Sequence, residues 1–308
     1  MEITSKYVGR KSKPFRITIS ERDAMNYCAG CYVNNPIFYD DSEKLLVFPL
    51  YVVSLTWKIS SSFGEFWDTS DFPLDVLATQ VHYFEDLRWY RKIYAGETII
   101  IDGEVSAILP HIAGTLLCIN YTGTSDNGET LFRELTCSLL RGVKCEDKGA
   151  GKDYLSMVTF NTKDLDISRV PIWESTINVN IYDLNVYDGC SNIHFPIHTS
   201  QKFAVGVGLP SPIYQGTAIL GRILQKFLER VDFSPENKTV ESLYARFSSY
   251  VLPNTLLKLS VFETGLDSDM DKLYLFTVKD TNDNKVIKDG KILFKEIDLL
   301  KEVSHHEK

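Results

Sequence analysis

The chain has 308 residues, with 33 Lys and Arg against 41 Asp and Glu, and 44% of it is apolar. This composition fills a core and excludes disordered, collagenous and low-complexity classes, and the length suggests two domains or one built from two similar halves. A formal charge of −8, with no Lys/Arg run interleaved with aromatics, argues against a nucleic-acid partner.

The N-terminal MEITSKYVGRKSKPF carries positive charge but no apolar segment follows it, so it does not read as a secretion signal. The longest apolar stretch, Leu45–Leu55, contains Pro49 and is too short to span a bilayer. A cytoplasmic chain with no membrane partner is expected, and its six cysteines should then be thiols. Glu21–Tyr32 reads as a short helix carrying Cys28-Ala29-Gly30-Cys31. No second Cys-x-x-Cys exists and the context is not thioredoxin-like, so these cysteines are expected to be small core residues rather than a metal or redox site.

Thr98–Ile108, Thr115–Thr124 and Thr130–Arg141 read as strands, with Ser125-Asp126-Asn127-Gly128 as a hairpin turn. The polar segment Lys144–Asp153 is the boundary candidate, dividing the chain into 1–147 and 153–308. Beyond it, Thr217–Arg230 is the strongest helix, with Ile219, Ile223, Leu224, Phe227 and Leu228 on one stripe. Leu256–Glu263, Leu273–Lys279 and Lys291–Lys295 read as strands, with Asn282-Asp283-Asn284 at a turn. Gly206-x-Gly208 runs into Leu-Pro and is no dinucleotide fingerprint, and His305-His306 ends a charged tail expected to be disordered surface.

The halves repeat one another. Asn35-Pro36-Ile37-Phe38 precedes Arg88-Trp89-Tyr90 as Phe195-Pro196-Ile197-His198 precedes Arg246-Phe247-Ser248; the offset is 160 between the prolines and 158 between the arginines. Each half is expected to be one principal helix with an antiparallel sheet, an α+β plan. A sheet wrapped on one helix leaves an edge unpaired, so the halves are expected side by side as a pseudo-dimer. Arg88 and Arg246 are placed just before a strand, as structural ion-pair partners or as contacts for a phosphate.

The segment Tyr187–Leu220 holds a Pro-Ile-His turn, a short Gln201–Gly206 segment, a Gly-Leu-Pro turn, and Gln215-Gly216 opening the long helix. It resembles the hydratase motif of the MaoC-like, R-specific enoyl-CoA hydratases and dehydratases: Asp-x-Asn-Pro-Ile/Leu-His, then Ala-Gly-Leu-Pro, then a glycine starting the central helix. The first half resembles the degenerate N-terminal hotdog of double-hotdog members through Asn34–Asp41 and Phe84–Glu97. The resemblance implies a tandem double hotdog, two antiparallel sheets each wrapped around a central helix.

Carried over by position, the family's catalytic His falls on His198, and the glycine whose N–H serves the thioester oxygen falls on Gly216. The family's Asp falls on Ile193, which cannot accept a proton or hold a water, and the Asn of Asn-Pro falls on Phe195. Asp188 is the nearest carboxylate and the favoured substitute, with Ser191, Asn192 and His194 also close by; His194 itself reads as a loop or interface residue. Asn192, Ile193, Gln215 and Arg246 are the expected substrate contacts. In the first half Phe38 occupies the His position, so that half is expected to support the pocket rather than catalyse. The aromatics Trp57, Phe63, Phe66, Trp67 and Phe72 are core or the lining of an acyl tunnel.

The activity implied is reversible addition of water to a 2-enoyl-CoA, or dehydration of a 3-hydroxyacyl-CoA, with an acyl-carrier-protein thioester as the other carrier. His198 would serve as acid and base and the Gly216 N–H as oxyanion donor. No metal or redox cofactor is implied, and a homodimer is expected. Two rival readings share the scaffold: a catalytically silent acyl-CoA-binding protein, which Ile193 favours, and an acyl-CoA thioesterase, which needs a carboxylate or polarised water at the carbonyl carbon.

Overall fold

The computed structural model describes residues 1–154, 170–264 and 271–296; His305 and His306 lie outside them. In the first half the strands are β1 (Glu2–Ile3), β2 (Phe15–Thr18), β3 (Gln80–Trp89), β4 (Thr98–His111), β5 (Gly114–Ser125), β6 (Thr130–Arg141) and β7 (Lys144–Cys145). Those of the second are β8 (Trp173–Val179), β9 (Lys238–Phe247), β10 (Thr255–Glu263), β11 (Asp271–Lys279) and β12 (Lys285–Glu296). All but β1 and β7 join one ten-stranded sheet in the order β2-β4-β5-β6-β3-β9-β12-β11-β10-β8. β3 and β9 form the seam, antiparallel, with Phe84 opposite Arg246 and Arg88 opposite Ser242. The halves are therefore side by side, each satisfying the other's open edge. Arg88 and Arg246 lie inside these paired strands, not ahead of them.

The helices that lie wholly among the described residues are α1 (Glu21–Gly30), α2 (Val52–Ser61), α3 (Phe63–Phe66), α4 (Asp183–Ser191), α5 (Gln201–Gly206) and α6 (Gly216–Arg230). The α6 stripe of Ile219, Ile223, Leu224, Phe227 and Leu228 is buried as its period requires, and Thr217, Ala218 and Leu220 on its other side are buried too. In the first half the apolar stretch Leu45–Leu55 enters α2 through a 3-10 turn at Pro49–Tyr51, because proline is tolerated where a helix begins. That half thus has a second helix of equal length to α1.

α1 and α4 pack on each other across the pseudo-twofold relation. Tyr27 and Tyr187 stand 160 residues apart, the repeat offset, and their hydroxyls meet at 3.2 Å. Cys28 and Cys31 are buried in this core, and burial pushes the Cys28 thiol up to about 12. No group of residues able to hold a metal occurs among the described residues. Cys118 and Cys137, directly opposite on β5 and β6, form a disulfide, which corrects the expectation of six thiols. No described helix is long and apolar enough to cross a membrane.

Gly221 lets α6 pass Cys31, since a Cβ there would stand 2.3 Å from Cys31 Sγ. We predict that Gly221→Ala destabilises the chain by about 1–3 kcal/mol through overpacking, measured by denaturant unfolding. A Gly221→Ala chain as stable as the wild type would show that this approach is loose.

Candidate active site

A cavity of about 570 Å³ opens between the halves at the leading end of α6. Its buried wall is largely apolar, with Val53, Phe63, Leu117, Ile119, Ile193 and Ile219, together with Thr56, Glu85 and Glu134. Its solvent side carries the exposed Ser248, Ser249 and Tyr250 and the half-buried Arg141, Arg246 and Lys288. Trp57 and Phe63 of the expected aromatic cluster line the cavity, whereas Trp67 and Phe72 are core and Phe66 packs against it.

His198 reaches this wall from a tight turn. Its backbone N–H donates to Phe195 O at 3.0 Å, and Ser200 then caps α5 by accepting from Phe203 N–H. His198 Nδ1 donates to Ile213 O at 2.8 Å, so the neutral ring keeps its lone pair on Nε2. Burial drives its pKa down to about 4, so the imidazole is neutral at physiological pH.

Gly216 begins α6 on the same wall. Gln215 ahead of it makes no side-chain cap, and no acceptor among the described residues takes the Gly216 N–H, so the helix presents an open donor with its positive dipole end. Gln215 is buried on the wall; its Nε2 donates to Leu184 O at 3.2 Å, while Oε1 has no partner among the described residues.

The other expected contacts divide. Ile193 is 6% exposed and lines the cavity, so an apolar side chain stands there. Asp188 does not line the cavity: its Oδ2 accepts from the exposed His194 Nδ1 at 2.6 Å, its buried Oδ1 has no partner among the described residues, and its charge raises the His198 pKa against the larger effect of burial. Asn192 is exposed and off the wall, its φ of 58° closing α4 as a left-handed C-cap. Arg246 lines the cavity and is also an ion-pair partner, its Nε donating to Asp289 Oδ2 at 2.8 Å.

The carboxylates on the wall come from the first half. Glu85 shares a strand face with Leu87 and Trp89, and Glu134 one with Phe132 and Thr136; the period of two turns all of them inward. Glu85 is opposite Thr136 and Leu87 opposite Glu134, which makes the two acids diagonal neighbours. They lie within hydrogen-bond reach of each other, and Glu85 Oε1 and Glu134 Oε2 have no other partner among the described residues. Burial pushes Glu85 up to about 8, and burial with the neighbouring Glu85 charge pushes Glu134 up as well. His82 Nε2 lies 2.9 Å from Glu85 Oε2, an ion-pair distance. Burial also drives His82 down to about 4, so at neutral pH this contact is a hydrogen bond between uncharged groups.

The repeat-related site in the first half is closed. About 20 Å³ remains beside Phe38, Pro49, Trp89, Phe233 and Val240. By the repeat offsets Phe38 stands for His198, Trp89 for Phe247 and Val240 for His82. Pro49, at the helix entry there, has no N–H to offer.

Residues 164–286 match the family model of the MaoC like domain. A MaoC-like dehydratase from Phytophthora capsici superposes with a TM-score of 0.75 at 20% identity, over 95% of this chain and 98% of its own. A Mycobacterium tuberculosis protein described as a double hotdog gives 0.58 at 13% identity, over 93% of this chain and 96% of its own. The peroxisomal multifunctional enzyme type 2 from Drosophila melanogaster gives 0.66 at 15% identity, over 94% of this chain and 48% of its own. No curated protein matches the chain by sequence. The fold is thus the α+β double hotdog, and the second half is similar to the MaoC like domain over residues 164–286.

The buried acids make stability depend on pH. A carboxyl whose folded pKa is raised keeps its proton while the unfolded chain loses its own, so stability falls as pH rises from about 4.5 to the folded value. The lowered imidazoles His82 and His198 act oppositely, between about 4 and 6.5, and Asp86, pushed up to about 6, is ionised above that. We therefore predict that thermal stability declines between about pH 6.5 and 8, by roughly 1 kcal/mol per pH unit for each acid, and that Glu85→Gln flattens the decline. An equally steep decline in the variant would place the proton elsewhere.

Proposed function

We propose that the protein is a hydro-lyase of acyl thioesters, reversibly adding water to a 2-enoyl-CoA. The observation that carries this reading is the pairing of His198 with the open Gly216 N–H on the wall of one large cavity. The thioester oxygen accepts from Gly216 N–H, where the helix dipole stabilises the charge gathered as the enolate forms. His198 Nε2 takes a proton from water as its oxygen bonds to C3, and the proton returns to the α-carbon. The buried apolar wall takes the acyl chain, and Arg141, Arg246 and Lys288 on the solvent side suit the phosphates of the carrier.

We predict hydration of crotonyl-CoA and longer enoyl-CoAs, followed by loss of conjugated-enone absorbance. His198→Ala should lower kcat by ~10²–10⁴. Gly216 allows the donor to be tested separately from its space. Proline suits a first helical position, and Gln215 already has the extended backbone, φ −62° and ψ 134°, that precedes proline. Gly216→Pro should therefore keep α6 but remove the N–H, at a cost of ~10²–10³ in kcat. Gly216→Ala keeps the N–H and introduces the same Cβ, 3.0 Å from the Phe247 ring, so it should remain the more active of the two. Release of free CoA from saturated acyl-CoA would identify a thioesterase instead, and tight acyl-CoA binding without turnover a silent binder.

A further inference from the structure

The hydration reading calls for a second polar group at the attacking water. With Ile193 on the wall, no described carboxylate of the second half lines the cavity beside His198. The first half supplies the polar group. His82 lines the same cavity from β3, where a bulge between His82 and Phe84 interrupts the ladder with β6. Its ring lies 4.5 Å from that of Phe247, and its Nδ1 would stand 3.4 Å from a Cβ at Gly216. His82 is therefore beside the start of α6, where the thioester oxygen is read to bind.

Its other nitrogen is fully engaged. Nε2 lies 3.1 Å from Phe84 O, 2.9 Å from Glu85 Oε2 and 3.3 Å from Thr136 Oγ1. A carbonyl oxygen only accepts, so Nε2 carries the hydrogen and the lone pair is on Nδ1. Glu85, itself 1% exposed, is backed by Glu134, so the acceptor that fixes this tautomer is held in place. His198 is fixed in the mirror sense, with Nδ1 bonded and Nε2 open.

We propose that His82 is a second catalytic residue of this site: His82 Nδ1 and His198 Nε2 accept the two hydrogens of one water, His82 orienting it and His198 acting as the base, and Glu85 is the positioning residue that sets the His82 tautomer. This rests on the hydration reading above. As the water oxygen bonds to C3, His198 Nε2 takes one proton while His82 Nδ1 keeps accepting the other hydrogen, and the C2=C3 electron pair moves into the enolate. The same imidazolium then returns that proton to the α-carbon, so the water's atoms are all in the product and both rings end neutral. The first half, whose own site is filled by Phe38, contributes chemistry as well as a wall.

The test compares wild type, His198→Ala, His82→Ala and Glu85→Gln on enoyl-CoA, with bound acyl-CoA measured calorimetrically as the control for folding. His82→Ala should lose ~10²–10⁴ in kcat with acyl-CoA binding retained, and added imidazole should restore part of the rate, which a structural role does not predict. A wild type active on enoyl-CoA, an inactive His198→Ala and a His82→Ala within about threefold of wild type would end this inference and leave the hydration reading standing. A wild type that turns over no enoyl-CoA would end both. If His82→Ala does not fold, imidazole nitrogen NMR of the wild type decides: Nε2–H on His82 with Nδ1–H on His198 is expected, and Nδ1–H on His82 overturns the proposal.

Discussion

The antiparallel ladder from Phe84–Arg246 to Arg88–Ser242 joins β3 to β9 and turns two five-stranded sheets into one. Each strand would otherwise be an edge with unpaired N–H and C=O groups, so neither half is satisfied alone. The same ladder fixes what faces the start of α6. β9 ends in Phe247, whose ring meets Gly216, and β3 brings His82 and Glu85 to the same wall. Backbone pairing at the seam therefore assembles the site from side chains far apart in the chain.

Duplication gives such a fold two equivalent sites, and here the two have diverged. One keeps an imidazole, an open helix N–H and a cavity of about 570 Å³. The other has Phe38 in place of the imidazole, Pro49 at the helix entry, and about 20 Å³ left. Filling it adds buried aromatic surface, since Phe38 is fully buried and packs on Phe48 and Phe233. The half that lost its site is thereby free to serve the other, and the buried acids Glu85 and Glu134 are inward-facing groups that a purely structural sheet would replace with apolar ones.

Much of this was legible in the sequence. The stripe of α6, the strands β4 to β6 and the hairpin turn at Ser125–Gly128 follow from local periodicity. The repeat offset of 160 reappears as the Tyr27–Tyr187 contact. β3 and β9 are hard to read from the sequence because they alternate imperfectly, β3 carrying His82 and Glu85 among its inward positions. The sequence points to Asp188 because distance along the chain stands in for distance in space, and Glu85 is not among the candidates it offers near His198. The signal for Glu85 was present, an acid in phase with Leu87 and Trp89, but only a known seam shows which cavity that face adjoins. The Cys118–Cys137 pairing depended in the same way on a strand register.

The central claim is that an acyl thioester sits with its carbonyl oxygen on the Gly216 N–H and its reacting carbons before His198. A crystal structure with a bound 3-hydroxyacyl-CoA tests it most directly. The account predicts the thioester oxygen within about 3 Å of Gly216 N and the 3-hydroxyl against His198 Nε2. An acyl chain lodged elsewhere, or a carbonyl turned away from the start of α6, would contradict it.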